Sequence, residues 1–174
     1  MDSIRWKLEA SIRREEILAS LLKDNPMFSI CSYHAFQNHL SDTIKHANVT
    51  EESSFLLFFK VLNCENYWLR HGHDFEINFL QNIIEIIKKN IEDLNIMGSI
   101  SNTEFGIIFN LYQETDVVET MKIIKESLAN NPFVLNDTSF QIKTKWSLLE
   151  IIAGSNSLDV LREASDKARV ELFN

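Results

Sequence analysis

A polar turn between two apolar runs is the place in this sequence where side chains could most readily meet a substrate. The runs, residues 96–100 and 105–111, are rich in β-forming residues, and the turn consists of Ser101, Asn102, Thr103 and Glu104. This pattern predicts a β-hairpin, whose tip is held by its sheet and can therefore carry a site. The turn offers one carboxylate, that of Glu104, with no second acid, base or glycine beside it. We therefore expect no catalysis at this tip.

The segment His71-Gly72-His73-Asp74 is a second candidate, because a His-x-His pair occurs in metal centres. A closed zinc site needs four ligands, and a catalytic one needs three plus water. No further ligand stands at a suitable spacing. The sequence therefore favours a structural turn in which Asp74 caps the following helix. We expect neither a metal nor a cofactor.

Two cysteines, Cys31 and Cys64, are the remaining candidates for nucleophilic chemistry, and they show no CxxC spacing. Histidines stand near them in the sequence, His34 near the first and His71 near the second. Neither pair has a third group to orient the base or a glycine-rich turn to hold an oxyanion. The sequence favours free thiols in a reducing compartment.

The composition is that of a soluble globular protein, with 45% hydrophobic and 24% charged residues among 174. The net charge of −8 disfavours binding to nucleic acid or to anionic lipid. No signal-peptide pattern opens the chain, and no apolar run approaches the roughly 20 residues of a membrane span. We therefore expect a cytoplasmic protein with no membrane span.

The first residues form a separate element. Residues 2–23 carry a broken apolar stripe at helical spacing, and Pro26 disfavours helix in the residue before it. This helix either packs back on the rest of the chain or pairs with a second copy as a short coiled coil. We divide the chain into residues 1–24, an N-terminal helix that is a candidate coiled-coil or dimerisation segment, and residues 25–174, a single domain.

The domain alternates helical and strand patterns. The patterns predict helices at about 32–47, 65–70, 74–94, 116–128 and from 157, and strands at 53–62, 96–100, 105–111, 133–135 and 140–148. The last two strands are expected to form a hairpin through a turn at 136–137. Hairpins mixed with crossing helices indicate an α+β fold, with one mostly antiparallel central sheet flanked by helices.

This order, with several local motifs, resembles the GGDEF domain, the nucleotide-cyclase-like catalytic domain of bacterial diguanylate cyclases. Residues 25–36 are similar to the opening motif of that family, and 71–73 stand where the family has Tyr-Gly-His. The turn 101–104 and Phe105 take the place of the Gly-Gly-Asp-Glu-Phe signature. Residues 131–133 match a short segment that is common in the family just before a late strand. The resemblance covers nearly everything after the first helix.

The resemblance implies a site whose catalytic groups have been replaced. The family joins two GTP molecules using Mg²⁺, which two acidic residues hold. One of these positions is Lys60 here and the other is Thr103. The two signature glycines, which let the backbone approach phosphate, are Ser101 and Asn102. Lysine offers no oxygen to a hard divalent cation and repels it.

Other functional positions of the family are also altered. The guanine-reading positions fall at Trp68 and Ile77, and the phosphate-binding lysine of the last helix falls at Leu172. The product-sensing Arg-x-x-Asp motif is replaced by Glu92 and Asn95 at its two ends. Its first charge is reversed and its last is lost.

Three hypotheses follow from these replacements. The first is a catalytically inactive GGDEF-like module that binds a protein of unknown identity in bacterial signalling or assembly. The second is a non-catalytic sensor that still binds a guanine nucleotide, GTP or cyclic di-GMP. The third, a residual enzyme, is disfavoured by the loss of both acidic positions. Glu104 either caps the turn, faces solvent or is a relic, and Phe105 is expected to pack beneath the turn.

Overall fold

The computed structural model of the chain describes residues 30–47 and 53–170, together with Arg5, Lys7 and Leu8. Those three residues are helical; the rest of the helix predicted over 2–23, and the dimerisation suggested for it, lie outside the described residues. The helices are α1 Tyr33–His46, α2 Cys64–His71, α3 His73–Lys88, α4 Glu114–Asn130 and α5 Ser157–Val170. The strands are β1 Ser53–Val61, β2 Ile96–Ser99, β3 Glu104–Tyr112, β4 Phe133–Leu135, β5 Thr138–Phe140 and β6 Thr144–Ile151.

The central sheet has four strands in the order β2-β3-β1-β6, and every pairing in it is antiparallel. Strand β1 lies inside the sheet, which agrees with its continuous apolar sequence, and its residues from Ser54 to Phe59 are all buried. The expected α+β fold is confirmed. Among the described residues, no helix is long and apolar enough to cross a bilayer.

Each face of the sheet has its own apolar core. Odd-numbered residues of β1 face α3 and α4, and even-numbered residues face α1 and α5, because side chains alternate along a strand. The first core includes Leu57, Phe59, Phe79, Ile83, Phe105, Ile107, Ile124 and Trp146. The second includes Phe36, Leu40, Leu56, Phe58, Ile108, Leu161 and Ala164. The result is three layers, with the sheet in the middle.

Two glycines bring α1 close to the base of the hairpin. Gly98 of β2 and Gly106 of β3 are direct cross-strand partners, and both face the side chain of Phe36. A Cβ atom on Gly98 would lie 2.5 Å from Phe36 Cβ, and one on Gly106 would lie 2.6 Å from Phe36 Cζ. The absence of a side chain at both positions therefore allows the fully buried Phe36 ring to lie against the sheet.

The prediction of one strand over residues 140–148 is wrong. Strand β5 ends at Phe140 and pairs only with β4, through a turn in which Asn136 and Asp137 have φ of 50° and 63°. Strand β6 begins at Thr144 and pairs with β1 instead. An alternating pattern reports which side of a strand is buried, but it does not report the partner of that strand. The change of partner at 141–143 was therefore not visible in the pattern.

Candidate functional site

The hairpin turn is closed by a compact set of hydrogen bonds. The amides of Ile100 and Ser101 both donate to the carbonyl of Glu104, at 2.8 and 3.1 Å. The Ser101 hydroxyl donates to Glu104 Oε1 at 2.7 Å and accepts from the Thr103 amide at 3.4 Å. Ser101 and Asn102 are exposed, whereas Thr103 and Glu104 are half-buried. The turn 101–104 is therefore organised by its own side chains.

Glu104 is engaged on both carboxylate oxygens. Oε1 accepts from Ser101, and Oε2 lies 3.4 Å from the hydroxyl of Ser165 on α5. Of the roles left open for Glu104, capping of the turn is the one that this geometry supports. A carboxylate held in this way ties the tip of the hairpin to α5 and needs no metal to explain its position.

Phe105 anchors the hairpin in the core. Its ring is fully buried and lies 5.2 Å from that of Phe59, which in turn lies 4.7 Å from Trp146, both pairs being close to parallel. The stack crosses β3, β1 and β6, because these three residues are aligned in register. Phe105 thus packs beneath the turn, against the neighbouring strand.

The two positions assigned to lost metal ligands lie side by side. Lys60 is the last residue but one of β1 and pairs with Glu104 of β3, and the amide of the next residue, Val61, donates to the carbonyl of Thr103 at 2.9 Å. Lys60 is exposed and Thr103 half-buried. A cation placed between these positions would meet an ammonium and a hydroxyl.

Glu92 and Asn95, the positions assigned to the lost product-sensing motif, lie in the loop between α3 and β2, beside a cavity of about 390 Å³. Glu92 accepts a hydrogen bond of 2.7 Å from the Tyr112 hydroxyl. Burial, and then this hydrogen bond, raise the pKa of the Tyr112 phenol. Asn95 Oδ1 is buried with no hydrogen-bond partner among the described residues. The residues that line the cavity include the acids Glu92 and Asp93 and the bases Lys88 and His39, so acids and bases are equal in number there.

Trp68 and Ile77, the positions assigned to guanine reading, carry side chains that are half-buried. Trp68 on α2 packs against the first core, and its buried Nε1 has no hydrogen-bond partner among the described residues. Ile77 on α3 is half-buried. Neither offers the side-chain carboxylate or amide that a guanine edge would need. Leu172 lies outside the described residues.

The His71–Asp74 segment forms the junction between α2 and α3. Gly72, with φ of 87°, separates the two helices, and α3 begins at His73. Asp74 lies in the first turn of α3 and is not the N-cap; that position is Gly72, whose conformation favours glycine. The His71 ring packs against Phe75 at 4.9 Å. The described part of the chain holds no group of three His, Cys, Asp or Glu side chains arranged to bind a metal.

Cys64 is poorly suited to nucleophilic chemistry. Burial, followed by the charges of Glu76 and Glu65, raises the pKa of its thiol to about 12. Because the thiolate is the reactive form, such a thiol is inert near neutral pH. His71 lies at the opposite end of the same helix, about 10 Å further along its axis at 1.5 Å per residue.

Comparison with known families identifies the domain. Residues 27–171 match the family described as the diguanylate cyclase GGDEF domain. This chain belongs to the GGDEF family. Among curated proteins, none matches the chain in sequence.

Solved GGDEF structures share its fold. The FimX GGDEF domain from Pseudomonas aeruginosa is 14% identical, with a TM-score of 0.77 over 84% of this chain and 91% of that one. Diguanylate cyclase SiaD from P. aeruginosa, solved with its activator SiaC, is 13% identical, with a TM-score of 0.79 over 97% of this chain and 67% of the SiaD chain. A structure of the coiled coil and GGDEF domain of DgcB from Caulobacter crescentus, solved with c-di-GMP, is 15% identical in sequence. Its TM-score is 0.76 over 96% of this chain and 93% of the DgcB chain.

Two side-chain contacts of this GGDEF domain were not foreseen from the sequence. Ser165 reaches Glu104 from α5, and Tyr112 reaches Glu92 from the far end of β3. Both pairs are distant in the chain and involve ordinary polar residues. Only the strand register and the packing of α5 bring them together, so no local pattern could have indicated them.

Proposed function

We propose that this GGDEF domain is catalytically inactive and acts in bacterial signalling or assembly by binding another protein. The observation that carries the proposal is the adjacency of Lys60 and Thr103, joined by the hydrogen bond from the Val61 amide to the Thr103 carbonyl. These are the two positions at which the family holds Mg²⁺ with carboxylates. Without that ion, the charge on the transferred phosphate is not neutralised.

The electrostatic argument is one of sign. Two unit charges about 4 Å apart interact by about 4 kcal/mol at an effective dielectric of 20, and a divalent ion doubles this figure. An aspartate at position 60 would attract the metal by that amount, whereas Lys60 repels it. Thr103 leaves one neutral oxygen in place of the second carboxylate. The altered guanine-reading positions, Trp68 and Ile77, remove base recognition as well.

Two of the solved relatives support a role in protein binding. SiaD was solved in complex with its activator SiaC, so a protein of this fold can engage a protein partner. The DgcB structure includes a coiled coil as well as the GGDEF domain, and its match covers 96% of this chain. We extend the proposal to residues 2–23 as a helix that pairs two copies in the cytoplasm. The net charge of −8 argues against nucleic acid as the partner.

A second candidate function is a sensor of GTP or cyclic di-GMP that performs no chemistry. The cavity of about 390 Å³ beside Glu92 and Asn95 is the observation that favours it. The DgcB structure contains c-di-GMP, which shows that this fold accommodates the ligand. The charge of Glu92 opposes phosphate binding at this place, so we rank the sensor second.

The test is a thermal-shift titration with GTP and with cyclic di-GMP, each with and without Mg²⁺, combined with an assay for cyclic di-GMP synthesis. A ligand at 100 times its dissociation constant would stabilise the folded state by about 2.7 kcal/mol. We expect no shift and no product. A shift without Mg²⁺ would favour the sensor, and product formed from GTP would refute inactivity. An active diguanylate cyclase serves as the positive control.

Restoring the lost carboxylates and glycines should not restore synthesis. We expect the variant Lys60→Asp, Thr103→Asp, Ser101→Gly and Asn102→Gly to bind Mg²⁺ more tightly than the parent chain and to make no cyclic di-GMP. The physical reason is that Trp68 and Ile77 still offer nothing to a guanine base. Metal binding is measured by calorimetry and product by chromatography. Turnover by this variant would mean that the nucleotide pocket is more intact than proposed.

A further inference from the structure

A patch of lysines lies at the end of the sheet, beside the signature turn. Lys60 of β1 and Lys145 of β6 are direct cross-strand partners. The amide of Leu62 donates to the carbonyl of Lys143 at 2.8 Å, which extends the same row beyond β6. Directly opposed residues share a face, and side chains two positions apart on a strand do so too. We call Lys60, Lys143 and Lys145 the lysine patch.

The nearest acid does not form an ion pair with this patch. Glu104 is the cross-strand partner of Lys60 on the other side, but its carboxylate is engaged by Ser101 and Ser165. Among the described residues, no carboxylate oxygen lies within salt-bridge distance of a patch lysine. Like charges directly opposite each other in a sheet are destabilising. The Lys60–Lys145 pair therefore gains from an anion brought by another molecule.

The surroundings strengthen the positive charge of the patch. Arg169 lies one turn after Ser165 on α5, on the side of the helix that reaches Glu104. Lys60, Lys143 and Arg169 are exposed. The whole chain carries a net charge of −8, so a cluster of this sign runs against the overall charge. A positive patch on an otherwise acidic surface steers and orients an approaching partner more than it raises binding affinity.

We propose that the lysine patch is the docking surface for an acidic segment of a partner protein. The inference rests on the proposed protein-binding function and names the chemistry of its partner. An extended segment with acids at alternate positions repeats its carboxylates about every 6.6 Å. Lys143, which directly precedes β6, and Lys145 within it are likewise two residues apart in the chain. A long nucleic acid would meet the acidic remainder of the surface and be repelled.

The test uses fluorescein-labelled deca-glutamate as the probe and fluorescence anisotropy of the full chain at low salt. The variant Lys60→Glu with Lys145→Glu should bind the probe about tenfold more weakly, the size expected when two exposed ion pairs are lost and replaced by repulsion. The matched control is Lys122→Glu with Lys125→Glu, two exposed lysines of α4 whose reversal changes the net charge equally. We expect the control to bind like the parent chain.

Three results would overturn the proposal. Equal weakening in both reversed variants, or in neither, overturns it, because the probe would then sense net charge or another surface. If the reversed patch fails to fold, as judged by circular dichroism, Lys60→Gln with Lys145→Gln replaces it and should still weaken binding severalfold. Pyrophosphate is added as a competitor in Mg²⁺-free buffer, and the ionic strength is kept equal to that of the sample without it. Displacement of the probe would identify a small-anion site and overturn the assignment to a protein segment. Cyclic di-GMP synthesis would refute inactivity whatever the probe does, so the two failures are distinguishable.

Discussion

Replacing Phe105 by alanine is expected to lower the free energy of unfolding by about 3–5 kcal/mol. The ring is fully buried, and it ends a stack that continues through Phe59 to Trp146 across three strands. Truncation would leave a cavity at the base of the signature hairpin and remove the ring contact with Phe59. The loss is a large part of the roughly 5–15 kcal/mol that stabilises a typical domain. Urea unfolding measures it as a lower midpoint with an unchanged slope.

Leu69→Ala is the control for Phe105→Ala. Leu69 is 88% exposed on α2, so its truncation should change the free energy of unfolding by no more than about 0.5 kcal/mol. If Phe105→Ala had an equally small effect, the ring would not be packed as described. The expected contrast between the two variants would show that the signature phenylalanine stabilises the fold. Phe105 can therefore matter in a domain that we propose to be inactive.

Gly98→Ala should destabilise the domain strongly for so small a change in side chain. The added Cβ would lie 2.5 Å from the Cβ of Phe36, an atom fixed to the backbone of α1. It can be accommodated only if the helix moves away from the sheet. Overpacking of this kind costs about 1–3 kcal/mol and occasionally more, and we expect the upper end. Thermal unfolding of the purified variant measures the cost.

Gly106→Ala provides a matched comparison. Its Cβ would lie 2.6 Å from Cζ of the same ring, at the far end of the Phe36 side chain. That end of the side chain can shift without moving the backbone of α1. We therefore expect a smaller cost than for Gly98→Ala. Adding Phe36→Ala should relieve the clash in the Gly106 variant, so that the two changes cost less together than the sum of their separate effects. It should not do so at position 98, because the clashing Phe36 Cβ remains. Equal rescue at both positions would contradict the geometry.

Glu104 has a structural role in the signature turn that does not depend on catalysis. Its hydrogen bonds to Ser101 and Ser165 close the turn and connect it to α5. Both partners are hydroxyl groups, and one of them occupies a position where the family has glycine. In our proposal, the same replacement that removes close approach to phosphate supplies the donor that holds Glu104.

Hydrophobic periodicity was sufficient to predict most of the secondary structure. The uninterrupted helical spacing from Ile77 to Ile87 and the continuous apolar run of β1 each allow one regular structure with a buried surface. Residue types also carry the chemical prediction. Whatever the fold, Lys60 cannot ligate Mg²⁺, and the turn 101–104 contains one acid.

Only the tertiary structure decided which of these parts meet. It placed Lys60 beside Thr103, opposed Lys60 to Lys145, and moved residues 144–148 from the second hairpin to the central sheet. It also aligned the two glycines under Phe36. These relations depend on strand partners and register, which arise from packing among segments far apart in the chain. A local pattern records only whether a residue is buried, so it cannot specify the side chains that the residue will face.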